Sequence, residues 1–365
     1  MRRLFLLFSD RRLIILLLLV VLVFFLTGFL IGTFSDKLKE TDQDSNFLSN
    51  ISQSKNPLPP PQISGWVAWW TGQKAYELIN RYPGKITSVS PVWFMIDDNL
   101  KLKEVGAQKK KDILQTLKGL GIAVLPSLGS DLTGEKLSPL FQDEAKISEL
   151  IEGLTAELVS LEADGLDIDL EGIKEEDKDR FSIFLSEFSA SAKKHDLLLS
   201  VTIHAQTAKV EWEGVLGQDL QHIGEIADEV RIMAYDKHSA STGPGAIAPL
   251  SWIGDVAMYN SRFIDKQKIV MGIPSYGYIW TDAGTVRGLQ FDEFQSEVAK
   301  QNYDQHRDKD SQELVITAKG YTGWLSDSSA MVKKIESLRA LGLNRFIVWH
   351  LGGMDEMFFA NDWSE

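Results

Sequence analysis

The sequence predicts a closed barrel of eight parallel strands wrapped by helices, a (β/α)8 or TIM-barrel architecture of the α/β class, preceded by one transmembrane helix. Three observations carry that expectation. Short apolar runs recur eight times from residue 64 onward, and amphipathic helical patterns stand between most of them. The first run is followed by Trp69-Trp70-Thr71, where an open doubly wound sheet usually carries a Gly-rich phosphate turn.

The expected strands are residues 65–70, 86–93, 123–128, 165–171, 198–204, 229–235, 269–276 and 345–350. Helical patterns cover 74–81, 110–120, 146–161, 178–195 and 328–341. The connection between the seventh and eighth strands is too long for a simple helix. It holds a helical stretch at 291–302 and strand-like runs at 313–317 and 321–325 across an Ala-Lys-Gly turn. This predicts a small α+β insertion on the barrel rim, at about 281–326. There is no solenoid-type repeat.

Ahead of the barrel the sequence divides into three parts. Residues 1–12 form a basic tail with Arg2, Arg3, Arg11 and Arg12, and residues 13–34 are nearly all Leu, Ile, Val and Phe without a charge. About 20 such residues span a hydrocarbon core as a helix. The arginines keep the N-terminus cytoplasmic and send the rest across the membrane. A cleaved signal peptide would have an apolar region of only about 7–15 residues ending in an A-x-A-like site. This run is longer and lacks such a site, so a single-pass anchor in the cell membrane with an extracellular domain is expected. Residues 35–63 are polar and close on Pro57-Leu58-Pro59-Pro60-Pro61, the composition of a disordered stalk with a stiff end. Residues 64–365 are left for the barrel.

Composition narrows the function. With 365 residues, 44% of them hydrophobic, the chain can fill a barrel core of about 250–300 residues. A net charge of −13 argues against nucleic acid as a partner. The absence of cysteine excludes disulfides, thiolate metal sites and a cysteine nucleophile. There is no P-loop, no G-x-S-x-G elbow and no H-E-x-x-H spacing, so neither a metal nor another cofactor is implied.

The chemistry is concentrated in Asp164-Gly165-Leu166-Asp167-Ile168-Asp169-Leu170-Glu171. Side chains alternate along a strand, so Asp167, Asp169 and Glu171 share one face while Leu166, Ile168 and Leu170 share the other. Mutual repulsion and desolvation of three aligned carboxyls raise at least one pKa, and a carboxyl kept protonated near neutrality is what a general acid requires. In a barrel, the C-terminal end of such a strand faces the active-site mouth, which places Glu171 outermost and Asp167 deepest. A calcium loop also alternates acids, but with Gly and polar residues between them. A solvated strand face would not pair three acids with three apolar residues so regularly.

The segment 164–171 resembles the D-G-x-D-x-D-x-E signature of family 18 glycoside hydrolases at every signature position. Met233-Ala234-Tyr235-Asp236 resembles the sixth-strand M-x-Y-D of that family, and Trp349 resembles the Trp that floors its sugar pocket. The stretches 90–94, 243–249, 272–277 and 349–353 resemble the branch containing bacterial spore-cortex and peptidoglycan-lytic N-acetylglucosaminidases. The resemblance implies retaining, substrate-assisted hydrolysis of β-linked glycan containing N-acetylglucosamine, peptidoglycan first and chitin-type oligomers second. It implies Glu171 as the acid, Asp169 and Tyr235 as partners of the substrate's acetamido group, and Asp167 tuning Asp169. Trp349 would lie under the sugar, with Met233 and Asp236 lining the same site. Ser127-Leu128-Gly129-Ser130 departs from the family's S-x-G-G in its last residue, at a loop that shapes the pocket.

Trp93 and Tyr276 stand near strand C-termini and are candidate sugar-binding residues, although an isolated aromatic is more often core. His204, His238 and His350 also lie near strand ends and read as pocket-lining or structural. Two non-enzymatic alternatives are a catalytically silent, lectin-like barrel that binds wall glycan, and a scaffold in an envelope complex. A pure binder has no need of Glu171, Asp169 and Tyr235 together.

Overall fold

A computed structural model describes residues 59–361 apart from 107 and 211, together with residue 363. The predicted tail and anchor, and the stalk up to residue 58, lie outside the described residues. Among the described residues, no helix is long and apolar enough to cross a membrane.

Among the described residues, fifteen strands form two sheets. In chain order they are β1 (Gln62–Val67), β2 (Ser88–Ile96), β3 (Leu102–Glu104), β4 (Ala123–Val124), β5 (Ser127–Ser130), β6 (Gly165–Ile168), β7 (Leu198–His204) and β8 (Glu229–Met233). They continue with β9 (Ile269–Pro274), β10 (Tyr276–Thr281), β11 (Val286–Gln290), β12 (Tyr303–Arg307), β13 (Leu314–Ala318), β14 (Tyr321–Leu325) and β15 (Arg345–Trp349). The parallel order β1-β15-β9-β8-β7-β6-β5-β2 is closed by pairing of β1 with β2. β4 and β5 act as one barrel strand interrupted at Pro126, so eight parallel positions complete the barrel.

Apolar residues facing outward from the strands meet the helices. Leu166 and Ile168 are buried in the same cluster as Leu154, Leu158, Phe184 and Phe188, from the helices Glu144–Leu161 and Lys178–Lys193. The helix Glu144–Leu161 starts where Asp143 caps the amides of Ala145 and Lys146. Facing inward, parallel register aligns small polar residues in one layer: Ser127 lies beside Asp167, which lies beside Ser200.

Several predicted boundaries need correction. The strand begins at Gln62, inside the expected stalk, because the Gln62 amide already bonds Asn344 O. Just before it, Pro59 O and Pro60 O accept from Arg339 and Asn344 at the floor of the barrel, where the strands begin. The run 269–276 is two strands, broken at Ser275. The rim insertion therefore starts at Tyr276 rather than near 281. It is a five-stranded antiparallel sheet, β11-β10-β14-β13-β12, with the helix Phe291–Val298 packed on it. Phe294 anchors that packing, and a Cβ on Gly277 or Gly323 would come within 2.7 or 2.8 Å of its ring.

Candidate active site

Asp167 sits at the centre of the inner layer and is fully buried. One carboxyl oxygen accepts from Trp66 Nε1 at 3.0 Å and Ser127 Oγ at 2.9 Å; the other accepts from Ser200 Oγ at 3.0 Å and Thr202 Oγ1 at 2.9 Å. Arg231, equally buried, pairs with it at 3.0 Å and reaches Ser90 and Glu229 besides. The five partners come from four other barrel strands, two of them from β7, so this carboxylate ties β1, β5, β7 and β8 to β6.

Two residues on, Asp169 has a different environment. Regular strand ends at Ile168, yet the Asp169 amide still bonds Leu128 O at 2.9 Å, so the inward alternation continues to this residue. Its Oδ1 is buried without a hydrogen-bond partner. Burial above all, then the charges of Glu171 and Asp167, pushes its carboxyl well above the usual carboxylate range, with Arg231 acting the other way. Glu171 follows at the mouth. Its side chain is 55% exposed, but the walls of the cleft desolvate the carboxyl, and the charge of Asp236 adds to the rise in its pKa. The side face of Glu171 is met by His204 at the end of β7, with Nε2 3.5 Å from Oε2.

β8 and β15 supply the opposite wall. Tyr235 follows β8, and its ring lies over Gly272, where a Cβ would come within 2.9 Å of the ring. Burial and the surrounding carboxylates keep its phenol protonated by raising its pKa well above normal. Asp236 adopts a left-handed backbone, φ 62°, and its carboxylate accepts from the hydroxyls of Tyr276 and Tyr278. Trp349 ends β15 and meets Trp66 edge-on, ring centroids 5.8 Å apart. The Trp349–His350 peptide is cis, and buried Ser275 grips it: the Ser275 amide and hydroxyl bond Trp349 O at 3.0 and 2.9 Å, and the hydroxyl reaches His350 O at 3.0 Å.

Asp169, Glu171, Met233, Tyr235, Asp236 and Trp349 thus line one cavity of about 800 Å³. Three sequence candidates, Asp167, Trp93 and Tyr276, do not, and Asp167 lies fully buried in the inner layer, where its oxygens are taken up by other strands. Trp93 is only 1% exposed; it stands where β2 shifts register and packs beneath Gly106, so it is core rather than sugar platform. Tyr276 is also buried and serves the site through its hydroxyl on Asp236. Beyond Glu171 a second cavity of about 1070 Å³ opens, lined by Ser130, Lys174 and Trp212 among others, so Glu171 stands at the junction of two recesses. Sequence reasoning did not identify Ser275 or Trp212 as site residues. A serine between two strands and a tryptophan in a loop carry no periodic signal.

The family model for glycosyl hydrolases family 18 matches residues 65–355. An uncharacterised glycosylase, YvbX, of Bacillus subtilis is 32% identical over 142 residues, covering 38% of this chain and 41% of that protein. The cortical fragment-lytic enzyme of the same organism is 24% identical over 206 residues, covering 53% of this chain and 47% of that one. The matches thus span less than half the length of these two curated relatives. Among solved structures, a chitinase from Chromobacterium violaceum superposes with TM-score 0.75 at 22% identity, covering 82% of this chain and 97% of its own. The spore cortex-lytic enzyme SleL of Bacillus megaterium gives 0.73 at 20%, covering 84% and 74%. At these identities the likeness to solved structures is one of fold.

Proposed function

The chain belongs to family 18 of the glycosyl hydrolases, and from that premise we propose that it cleaves β-linked N-acetylglucosamine-containing glycan by a retaining, substrate-assisted route. The preferred substrate is peptidoglycan, with chitin-type oligomers second, a ranking supported by the likeness to the cortical fragment-lytic enzyme. The predicted anchor would hold the enzyme on the outer face of the cell membrane.

The observation that carries the mechanism is the unpartnered, buried Oδ1 of Asp169 next to a protonatable Glu171. Glu171 gives its proton to the glycosidic oxygen, which leaves with the bonding pair as the C1–O bond breaks. The acetamido oxygen of the same sugar closes on C1 to give an oxazolinium ion. Asp169 accepts the acetamido N–H and offsets the charge that develops there. The Tyr235 hydroxyl donates to the acetamido oxygen and aims it at C1. Trp349 offers its face to the apolar side of the ring. Glu171, now a carboxylate, takes a proton from water as that water opens the ring from the same side, which retains configuration.

The test compares the full-length protein with its Glu171→Gln variant on purified peptidoglycan and on chito-oligosaccharides. Reducing ends released by the first and nearly absent with the second are expected, and the preferred glycan names the substrate. Equal binding of glycan by both proteins with no product from either would replace the enzyme by a lectin-like barrel.

A further inference from the structure

His204 has no part in the acetamido chemistry, yet it is the side chain that faces the acid. Its Nε2 is buried, lies 3.5 Å from Glu171 Oε2, and has no hydrogen-bond partner of its own. The ring is held in place independently of Glu171. Its backbone amide donates to Gln218 Oε1 at 3.1 Å, and Trp212 packs edge-on against the imidazole with centroids 4.3 Å apart. Register sets it beside Met233 across β7 and β8, on the wall of the same cavity.

A carboxylic acid has two oxygens, and only one can carry the proton that reaches the leaving group. A neutral imidazole in the tautomer with hydrogen on Nε2 can donate to the other oxygen. Resting on the hydrolase reading above, we infer that His204 is a positioning residue for Glu171. Its Nε2–H engages Oε2, keeps the transferable proton on Oε1, and then holds the carboxylate left when that proton has gone to the glycosidic oxygen. The imidazole itself neither gains nor loses a proton. Burial lowers its pKa to about 4, so it is neutral near pH 7. A cation in the same place would favour ionised Glu171 far more strongly than a neutral donor does, so a neutral imidazole costs the acid less of its proton.

The inference is tested on the full-length protein with two substrates: a chito-oligosaccharide, whose alcohol leaving group needs a proton, and an aryl glycoside with a nitrophenolate leaving group, which needs little help. His204→Ala should lower kcat on the oligosaccharide by about 10- to 100-fold, the worth of one hydrogen bond to a charged group. It should leave KM nearly unchanged and slow the aryl glycoside by less than about threefold, because the assisted step is no longer limiting. In a Glu171→Gln background the same substitution should cost almost nothing further, since the two residues act as one unit. His204→Gln, which restores an N–H, should recover part of the loss. Equal losses on the two substrates, or full additivity with Glu171→Gln, would reduce His204 to a wall of the pocket and overturn the inference. Inactivity of the unmodified protein on both substrates would instead remove the hydrolase reading, and this inference with it.

Discussion

Asp167 and Asp169 are two residues apart on one strand, and the barrel treats them in opposite ways. Asp167 is saturated: four side-chain donors and the Arg231 guanidinium converge on it. Asp169 keeps an oxygen buried and unpartnered, with Glu171 beside it at the mouth. The inner layer thus spends its polar groups on holding strands together, while the mouth holds its own in readiness for a substrate. Stability and reactivity are assigned to adjacent positions of one sequence motif.

The sharpest way to break this contrast is at the mouth. Glu171→Gln keeps the shape and removes the proton, so kcat on oligosaccharide should fall by about 10²- to 10⁴-fold with unfolding unchanged or delayed. A variant retaining a tenth of the original turnover would show that another group is the acid. At the inner layer, Arg231→Met should do the reverse and cost about 3–5 kcal/mol of stability by leaving Asp167 as a buried carboxylate without its cation. An unchanged denaturation midpoint would mean that the four neutral donors suffice.

Asp169→Asn comes next. It should lower kcat by about 10²- to 10³-fold, the loss expected when one preorganised contact to developing charge is removed. Asp167→Asn should show its effect in the denaturation midpoint first, and a pair of variants that behaved alike would erase the distinction between the two positions. Trp349→Ala should mainly raise KM, by roughly fivefold for about 1 kcal/mol of lost stacking.

The smallest effect concerns pH. Asp169 and Glu171 both bind protons more tightly folded than unfolded, so their contribution to stability is fully present below the ordinary carboxylate pKa range and is lost as pH rises through their raised values. Asp169→Asn should therefore raise Tm slightly at neutral pH and not at pH 3. A uniform shift at both values would point to packing rather than charge. For the unmodified enzyme, the basic limb of the kcat profile should fall above the usual glutamate range, as Glu171 loses its proton.

Most of this division could be anticipated from the residues. All eight barrel strands announce themselves as apolar runs, because each is covered by helices outside and filled inside. The alternation at 166–171 places three acids on one face without any tertiary information. The rim sheet was less legible for physical reasons. β12 is Tyr-Asp-Gln-His-Arg and exposed throughout, so it has no buried face to write a period of two. β10 was hidden because only Ser275 separates it from β9. Trp93 was misplaced because the register of β2 shifts between Val92 and Phe94. The ring of donors around Asp167 joins residues 33 to 101 positions apart, which no local pattern reveals.

The two prolines bonded at the barrel floor have a mechanical consequence. Pro59 and Pro60 fasten the incoming chain at the pole opposite the cleft. From there the chain enters β1, which is paired in parallel with β2 on one side and β15 on the other. A load applied along β1 would therefore be shared by both ladders in shear, rather than opening one bond at a time.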